Sequence, residues 1–424
     1  MTDMDTQIDG FHSPKGIGAL YNGIAILGGS RTPFGAFTGG LSRVNPIDLG
    51  ILASRAALGT CRLTGEDIDQ VIFSSVAQSG LDAYYLPRHI GLYAGVPLDR
   101  PALLVQRICG SGFEAVIQAA EQISLHKADI VLVGGTESMS LNPLAAYGIR
   151  QGHELGKPGF VDTLWEELYD PACGLSMGQT AENLARMYGI TRPQADEFAF
   201  KSQENYRLAR EAGFFTGEIT PVRNAGFDIP GLKSRSIRLP RGIEEFALDE
   251  HPRQTSLEQL SRLKPVFQAD GVHTAGNSSG ITDGACALVV ASARAAQKSG
   301  LEPLGWLRAS VSVGVIPGIM GIGPGPAIGQ LLTACHLDLS QIDCFEINEA
   351  FAGQCLAVIK DAGLDPVRVN VNGGAIAVGH PLAATGARLT LTLLRQLRRA
   401  SARLGIAGAC IGGGQGTVLL LEGT

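Results

Sequence analysis

The chain has 424 residues and a formal net charge of −6. That length predicts two or three structural units, and the acidic balance excludes a general attraction to nucleic acid or anionic membrane. No apolar run approaches the roughly 18 residues of a membrane span, and the scattered cysteines form neither a C-x-x-C pair nor a zinc-spaced cluster, so a spanning segment, a disulfide framework and a structural metal are not expected.

The N-terminus, Met1-Thr2-Asp3-Met4-Asp5, carries neither a basic region nor an apolar stretch and reads as the start of a flexible leader over 1–18 on a cytoplasmic protein. Abundant glycine with few aromatics suits an α/β chain of tight strand-to-helix turns. An extended run from Ala102 to Val105 precedes Arg107-Ile108-Cys109-Gly110-Ser111-Gly112, and Phe113, Val116, Ile117 and Ala120 then recur at helical spacing. Cys109 therefore opens a helix. The positive end of the backbone dipole there is expected to draw its thiol below the free pKa of about 8.5. An isolated cysteine is more often packing than nucleophile, so its weight depends on its partners.

A strand from Ile130 to Val133 leads into Gly134-Gly135, and from about 143 to 277 the character shifts toward charge. A helix starts at Thr191-Arg192-Pro193-Gln194, where Thr and Gln have capping-box spacing. Lys233, Arg235, Arg238 and Arg241 form a basic cluster followed by Glu244-Glu245 and Asp249-Glu250. Such a run is more often solvated surface than ligand site, although a long insertion beside an active site also suits a lid or cofactor-covering region.

The remainder repeats the beginning. Leu339 to Ile347 matches Gly65 to Phe73 as a turn followed by a strand. Val367 to Val371 is strand-like, Asn372-Gly373-Gly374 turns, His380 precedes a helix with Leu389, Leu393 and Leu397 as its buried stripe, and Leu404 to Ala409 leads into Cys410 and Gly412-Gly413-Gly414. Too few and too large for a solenoid, the repeats imply two facing copies of one strand-turn-helix unit. Their reactive turns would meet. The expected units are the first half over 19–142 plus 278–300, the insertion over 143–277 and the second half over 301–424.

These segments together resemble the thiolase family of acetyl-CoA acetyltransferases and 3-ketoacyl-CoA thiolases. The resemblance rests on Arg31-Thr32-Pro33-Phe34, Arg107 to Gly112, Gly134 to Ser140, Met177 to Asn183, Thr274 to Gly280, Asn348 to Ala352, Gly379-His380-Pro381 and Cys410 to Gly416, in that order. It implies an α/β fold of duplicated βαβαβαββ halves in five αβαβα layers with an inserted loop domain. It implies thiolysis of 3-ketoacyl-CoA, or the reverse Claisen condensation, through a ping-pong acyl-enzyme. Coenzyme A is then substrate and product, with no permanently bound cofactor and no metal.

By the same resemblance Cys109 carries the acyl group, His380 activates it and Cys410 exchanges the α-carbon proton of acetyl-CoA, chemistry suited to groups whose acid and base forms are both accessible near neutrality. Asn348 holds a water that with His380 meets the enolate oxygen, and the backbone N–H groups of Cys109 and Gly412 form a second oxyanion hole. Ser279 matches a serine on the pantetheine arm, while Met177, Phe267 and Phe351 match positions lining its channel. Taken singly, His380 also reads as a turn histidine, Cys410 as a small buried hydrophobe and Asn348 as a helix cap. Cys61, Cys173, Cys286, Cys335, Cys344 and Cys355 read as packing residues.

Two departures bear on substrate. Ser176 stands where acetoacetyl-CoA thiolases often have histidine, and Leu382-Ala383-Ala384-Thr385 replaces the commoner Ile-Gly-Ala-Ser. The latter resembles long-chain thiolases that work with a hydratase/dehydrogenase partner, whereas Asn348-Glu349-Ala350-Phe351 does not. A homodimer or homotetramer is expected. A decarboxylating ketoacyl synthase would need a second histidine, a non-catalytic CoA-binding or scaffolding protein would not need Cys109, His380 and Cys410 together, and a redox sensor would link Cys109 to Cys410 under mild oxidant.

Overall fold

Burial alternates along the strands with period two and sorts the molecule into layers. In the computed structural model, which describes residues 7–13, 16–77, 79–156, 159–300 and 302–424, Ile24, Ile26, Ile72, Val131, Val133, Leu288 and Val290 face a central apolar cluster. Their neighbours Ala25, Leu27, Val71, Phe73, Leu132, Val289 and Ala291 face a second cluster on the opposite side. The second half behaves alike, with Ala407, Ala409, Leu419 and Leu421 in the central cluster and Ile406, Val418 and Leu420 in a third. Strands buried on both faces need helices on both faces.

Those helices complete five layers. Ser111–Ser124 and Leu382–Ala400 lie side by side in the middle and touch strands of both halves. Pro46–Thr60 and Leu86–Ala94 cover the outer face of the first half, and Pro324–Ala334 and Ala352–Ala362 that of the second. From one edge the strand order is Ala102–Val105, Gln70–Ser74, Ile130–Ser138, Thr282–Ser292, Gly16–Arg31, Gly305–Gly314, Gln415–Gly423, Leu404–Ile411 and Cys344–Ile347. Each half thus places its first strand at the middle of the array, then its last, then its penultimate, then its second. The duplication expected from sequence is a pseudo-twofold arrangement of two like halves.

Two expected segments differ. Within the leader, Gln7–Ser13 is a strand paired antiparallel with residues 16–22. Its alternation is visible in Ile8 and Phe11, which pack against the central and third clusters, and residues 1–6 lie outside the described residues. The strand expected over Val367 to Val371 shrinks to a single parallel bridge between Phe345 and Val369. Pro366 begins a 3₁₀ turn and Asn370 sits at φ +49°, so the extended run cannot persist.

Between 143 and 277 short two-stranded ribbons and the helices Met177–Met187 and Arg192–Glu211 wrap the layers. The Thr191 N–H donates to Gln194 Oε1 at 2.9 Å, as the capping-box spacing predicts. Arg31, fully buried, anchors this region: its guanidinium pairs with Glu218 at 2.7 Å and Asp249 at 2.6 Å, and Tyr206 Oη donates to Asp249 at 3.0 Å. Removing one member of such a cluster strands a buried charge, at a cost of about 3–5 kcal/mol.

Candidate active site

The two central helices meet at their N-termini through glycines. A Cβ on Gly112 would stand 2.6 Å from the Ala387 nitrogen, and one on Gly386 would stand 2.3 Å from the Phe113 nitrogen. Only bare backbone permits that approach. The contact carries the turn before each helix, Cys109 in one half and His380 in the other, toward the same point.

The Cys109 turn is held under strain. Ile108, β-branched, sits at φ +45°, a conformation costing about 1–3 kcal/mol. Ser111 fixes it: its hydroxyl accepts from the Arg107 N–H at 2.8 Å and donates to the Ile108 carbonyl at 2.6 Å. Arg107 pairs with Glu114 at 2.8 Å and reaches Gln415 of the second half at 3.3 Å. The Gly412 N–H and the N–H of Cys109 itself approach the thiol. A Cβ on Gly412 would lie 3.3 Å from Met177 Sδ, so the glycine keeps this donor close to its neighbours. Burial nevertheless dominates, pushing the Cys109 thiol up to about 12 against the pull of those N–H groups. The lowered pKa expected from the helix terminus is therefore corrected: in a site this dry, losing water outweighs the dipole.

His380 is equally dry and is held below its ordinary range, at about 3, by burial and then by the nearby Arg388. Its tautomer follows from its partners. The Thr385 hydroxyl donates to the Pro381 carbonyl at 3.0 Å, which leaves Thr385 Oγ1 to accept from His380 Nδ1 at 2.6 Å. The proton is on Nδ1. Nε2 keeps its lone pair and accepts from Asn348 Nδ2 at 3.2 Å. Asn348 Oδ1 is buried and makes no hydrogen bond among the described residues. Cys410, fully buried near the end of its strand, lies within the electrostatic reach of Cys109, and burial raises its thiol strongly.

The expected channel residues gather beside Cys410. Met177 and Phe351 pack on the small cluster of Met320, Ala350 and Cys410, and Phe267 meets Phe351 edge to face at 5.6 Å. The Ser279 hydroxyl donates to the Ala350 carbonyl at 3.1 Å, so its oxygen can accept from a ligand N–H. Of the basic cluster, Arg235 is committed to Asp48 at 2.7 Å and Asp82 at 2.5 Å, whereas Lys233, Arg238 and Arg241 are exposed. Among the described residues no group of three or more His, Cys, Asp or Glu could hold a metal ion, and no helix is long and apolar enough to cross a membrane.

Two family models match the chain: the thiolase N-terminal domain over residues 24–294 and the thiolase C-terminal domain over 301–423. The chain belongs to the thiolase family. It is 44% identical to the mitochondrial 3-ketoacyl-CoA thiolase of Bos taurus over 96% of its own length and 100% of the relative. It is 41% identical to an acetyl-CoA acetyltransferase of Cupriavidus necator over 94% of its length and 99% of that protein. Human mitochondrial 3-ketoacyl-CoA thiolase superposes with a TM-score of 0.89 at 41% identity, covering 97% of this chain and 99% of that one, and its complex with CoA with a TM-score of 0.88. The cytoplasmic location expected from the N-terminus is corrected by these findings, since relatives that match over nearly the whole chain are mitochondrial. A leader's missing basic region was a weak guide to compartment.

Sequence reasoning missed the residues that set the histidine's orientation. Thr385 stands in the Leu382-Ala383-Ala384-Thr385 departure, and the sequence alone does not show that its hydroxyl meets His380 Nδ1. Thr282 Oγ1 accepts from the His380 backbone N–H at 3.0 Å and contacts His251 Nε2 at 2.9 Å. Nothing in the local pattern marks Thr282, which is one buried residue in an entirely buried strand.

Proposed function

We propose that this thiolase catalyses reversible acyl transfer between CoA and the α-carbon of acetyl-CoA, cleaving 3-ketoacyl-CoA with CoA or running the condensation in reverse. The observation that carries the reading is the convergence of two buried thiols, Cys109 and Cys410, with the turn that bears His380, whose Nε2 lone pair is engaged by the Asn348 amide, at a point to which each half contributes. In thiolysis Cys109 Sγ attacks the 3-keto carbon while its proton passes to His380. The carbon–carbon bond to the acetyl-CoA fragment then breaks, and the enolate leaving from it takes a proton from Cys410. The CoA thiol then gives its proton to the Cys410 thiolate and attacks the acyl-Cys109 carbonyl; the bond from that carbon to Cys109 Sγ breaks, acyl-CoA departs, and the Cys109 sulfur takes its proton back from His380.

The raised thiol and lowered imidazole imply that Cys109 is not stored as a thiolate. Its proton moves as the substrate carbonyl arrives and as oxyanion donors take up the charge. The N–H groups of Cys109 and Gly412 suit the tetrahedral oxyanion. Asn348, with Oδ1 free to anchor a water, and protonated His380 suit the enolate. Ser279, Met177, Phe267 and Phe351 suit the pantetheine arm. The outermost strand Ala102–Val105, with its unpaired edge and half-exposed side chains, suits self-association into a homodimer.

The test is a stoichiometric one. Mixing the protein with acetoacetyl-CoA without free CoA and measuring intact mass should show one acetyl group per chain, on the peptide containing Cys109. A protein that binds CoA yet shows no such adduct and no thiolysis would be a non-catalytic relative, and the reading would fail.

A further inference from the structure

Cys109 sits in a small apolar cluster that lies within electrostatic reach of Glu167. Cys109, Met139, Leu164 and Leu382 form a buried cluster, with Val76, Ile108, Leu168 and Ile281 packed against it. The short helix Thr163–Glu166 brings Leu164 and Leu168 onto this cluster, and Glu167 lies between them. The Pro143 carbonyl accepts from both the backbone N–H and the hydroxyl of Thr163, the latter at 2.6 Å, which clamps the segment after Met139 onto this helix. Asn142 is thereby set facing the Glu167 carboxyl.

Glu167 Oε1 and both Nδ2 and Oδ1 of Asn142 are buried and, among the described residues, complete no hydrogen bond of good geometry, the two side chains meeting each other only weakly. Leaving such atoms unsatisfied is costly, and an apolar acyl chain cannot satisfy them. Glu137 does not supply the missing partner, because its own oxygens accept from the N–H groups of Val76, Ala77 and Ala383 and from Ser75 Oγ. We propose that Asn142 and Glu167 form a polar end wall of the acyl pocket beside Cys109, and that the pocket prefers acyl chains carrying a hydroxyl group over plain alkyl chains of equal length. The proposal rests on the acyl-transfer reading given above.

The charge at this corner selects a hydroxyl rather than a carboxylate. The ionisable groups that act on Glu167 are Glu137 and Asp162, both acidic, so an acyl carboxylate would lose its hydration beside acidic rather than basic neighbours. A hydroxyl can donate to a carboxyl or amide oxygen and accept from the Asn142 amide. Burial, and next Glu137, push the Glu167 carboxyl up to about 8, which keeps it mostly neutral near pH 7 and able to donate as well as accept.

Thiolysis of 3-ketohexanoyl-CoA, its ω-hydroxy derivative and 3-ketoadipyl-CoA, compared as kcat/KM, tests this. The wild-type protein should favour the hydroxylated substrate over the plain one by about tenfold, with the carboxylated one last. Replacing Glu167→Leu or Asn142→Ala should bring the hydroxyl-to-alkyl ratio to one or below, and Glu167→Gln should keep it above one. A wild-type ratio of one, a preference for 3-ketoadipyl-CoA, or loss of the preference in Glu167→Gln as complete as in Glu167→Leu would overturn the proposal. Absence of turnover with all three substrates, together with absence of an acyl-Cys109 adduct, would instead sink the acyl-transfer reading beneath it.

Discussion

The two halves share one scaffold and divide one reaction. In the first, the strand Ile130–Ser138 carries next to its end Glu137, whose buried carboxylate accepts backbone N–H groups from residues 76 and 77 and, across the pseudo-dyad, from Ala383. In the second, the corresponding strand Leu404–Ile411 carries Cys410 next to its end and leads into a glycine turn whose Gly412 N–H reaches back to Cys109. Each strand end serves the other half's helix turn, one by holding it in place and the other by supplying a donor to the nucleophile. Duplication conserved the geometry and left the side chains free to specialise, so the chemistry exists only where the halves touch.

Removing the nucleophile should break this division most completely. Cys109→Ala should lower kcat by about 10⁴-fold or more and abolish the mass adduct from acetoacetyl-CoA while CoA still binds. Turnover within tenfold of wild type would place the acyl group elsewhere. Cys410→Ala sharpens the comparison, because it removes one second-half group and leaves His380, Asn348 and Gly412 in place. Acylation of Cys109 from a simple acyl-CoA should survive, while carbon–carbon cleavage falls by about 10²–10⁴-fold, the usual range for general acid–base help. Loss of both steps in a folded protein would mean that the two thiols do not have separate tasks.

A smaller effect is expected at Thr385, which acts through His380 rather than on substrate. Thr385→Val removes the acceptor for Nδ1–H, so the imidazole is no longer fixed with its lone pair on Nε2. A fall in kcat of about 10–100-fold is expected, with KM little changed, and Thr385→Ser should restore most of it. Equal activity in the valine and serine variants would show that the hydroxyl orients nothing.

Much of this was legible beforehand because it follows from pattern. The strand-turn-helix unit around Cys109, the helix after His380 with its buried stripe Leu389, Leu393 and Leu397, and the cap at Thr191 are local, and local spacing reports them faithfully. The ionisation of Cys109 was not legible, since a helix terminus can be seen in a sequence and the dryness of its surroundings cannot. Arg31 could be quoted as part of a motif, but its partners Glu218 and Asp249 lie far along the chain and become partners only through the fold. Thr282, Asn142 and Glu167 are of the same kind: their residue types are ordinary, and their significance lies in which buried atoms they face.

The buried carboxyls give the last and smallest test, on stability rather than rate. Glu346, 1% exposed and 3.3 Å from Arg388, is raised by burial to about 8, against the attraction of that arginine. A folded-state pKa above the unfolded value means the native state binds the proton more tightly, so this contribution is fully present below about pH 4.5 and is lost as pH rises through 8. Glu137, raised to about 7 by burial, acts in the same sense. His380 acts in the opposite one: its folded pKa near 3 lies below the ordinary value, so its contribution is present above about 6.5 and is lost as pH falls toward 3. Between pH 6.5 and 8 the carboxyls dominate, and the urea midpoint of the wild type should decline across that window. In Glu346→Gln, where nothing titrates at that position, the decline should be shallower at an unchanged slope of unfolding free energy with urea. An equally steep decline in the variant would show that Glu346 is already ionised at neutral pH, with Arg388 outweighing burial, and would relocate the pH dependence to the Glu137 side of the molecule.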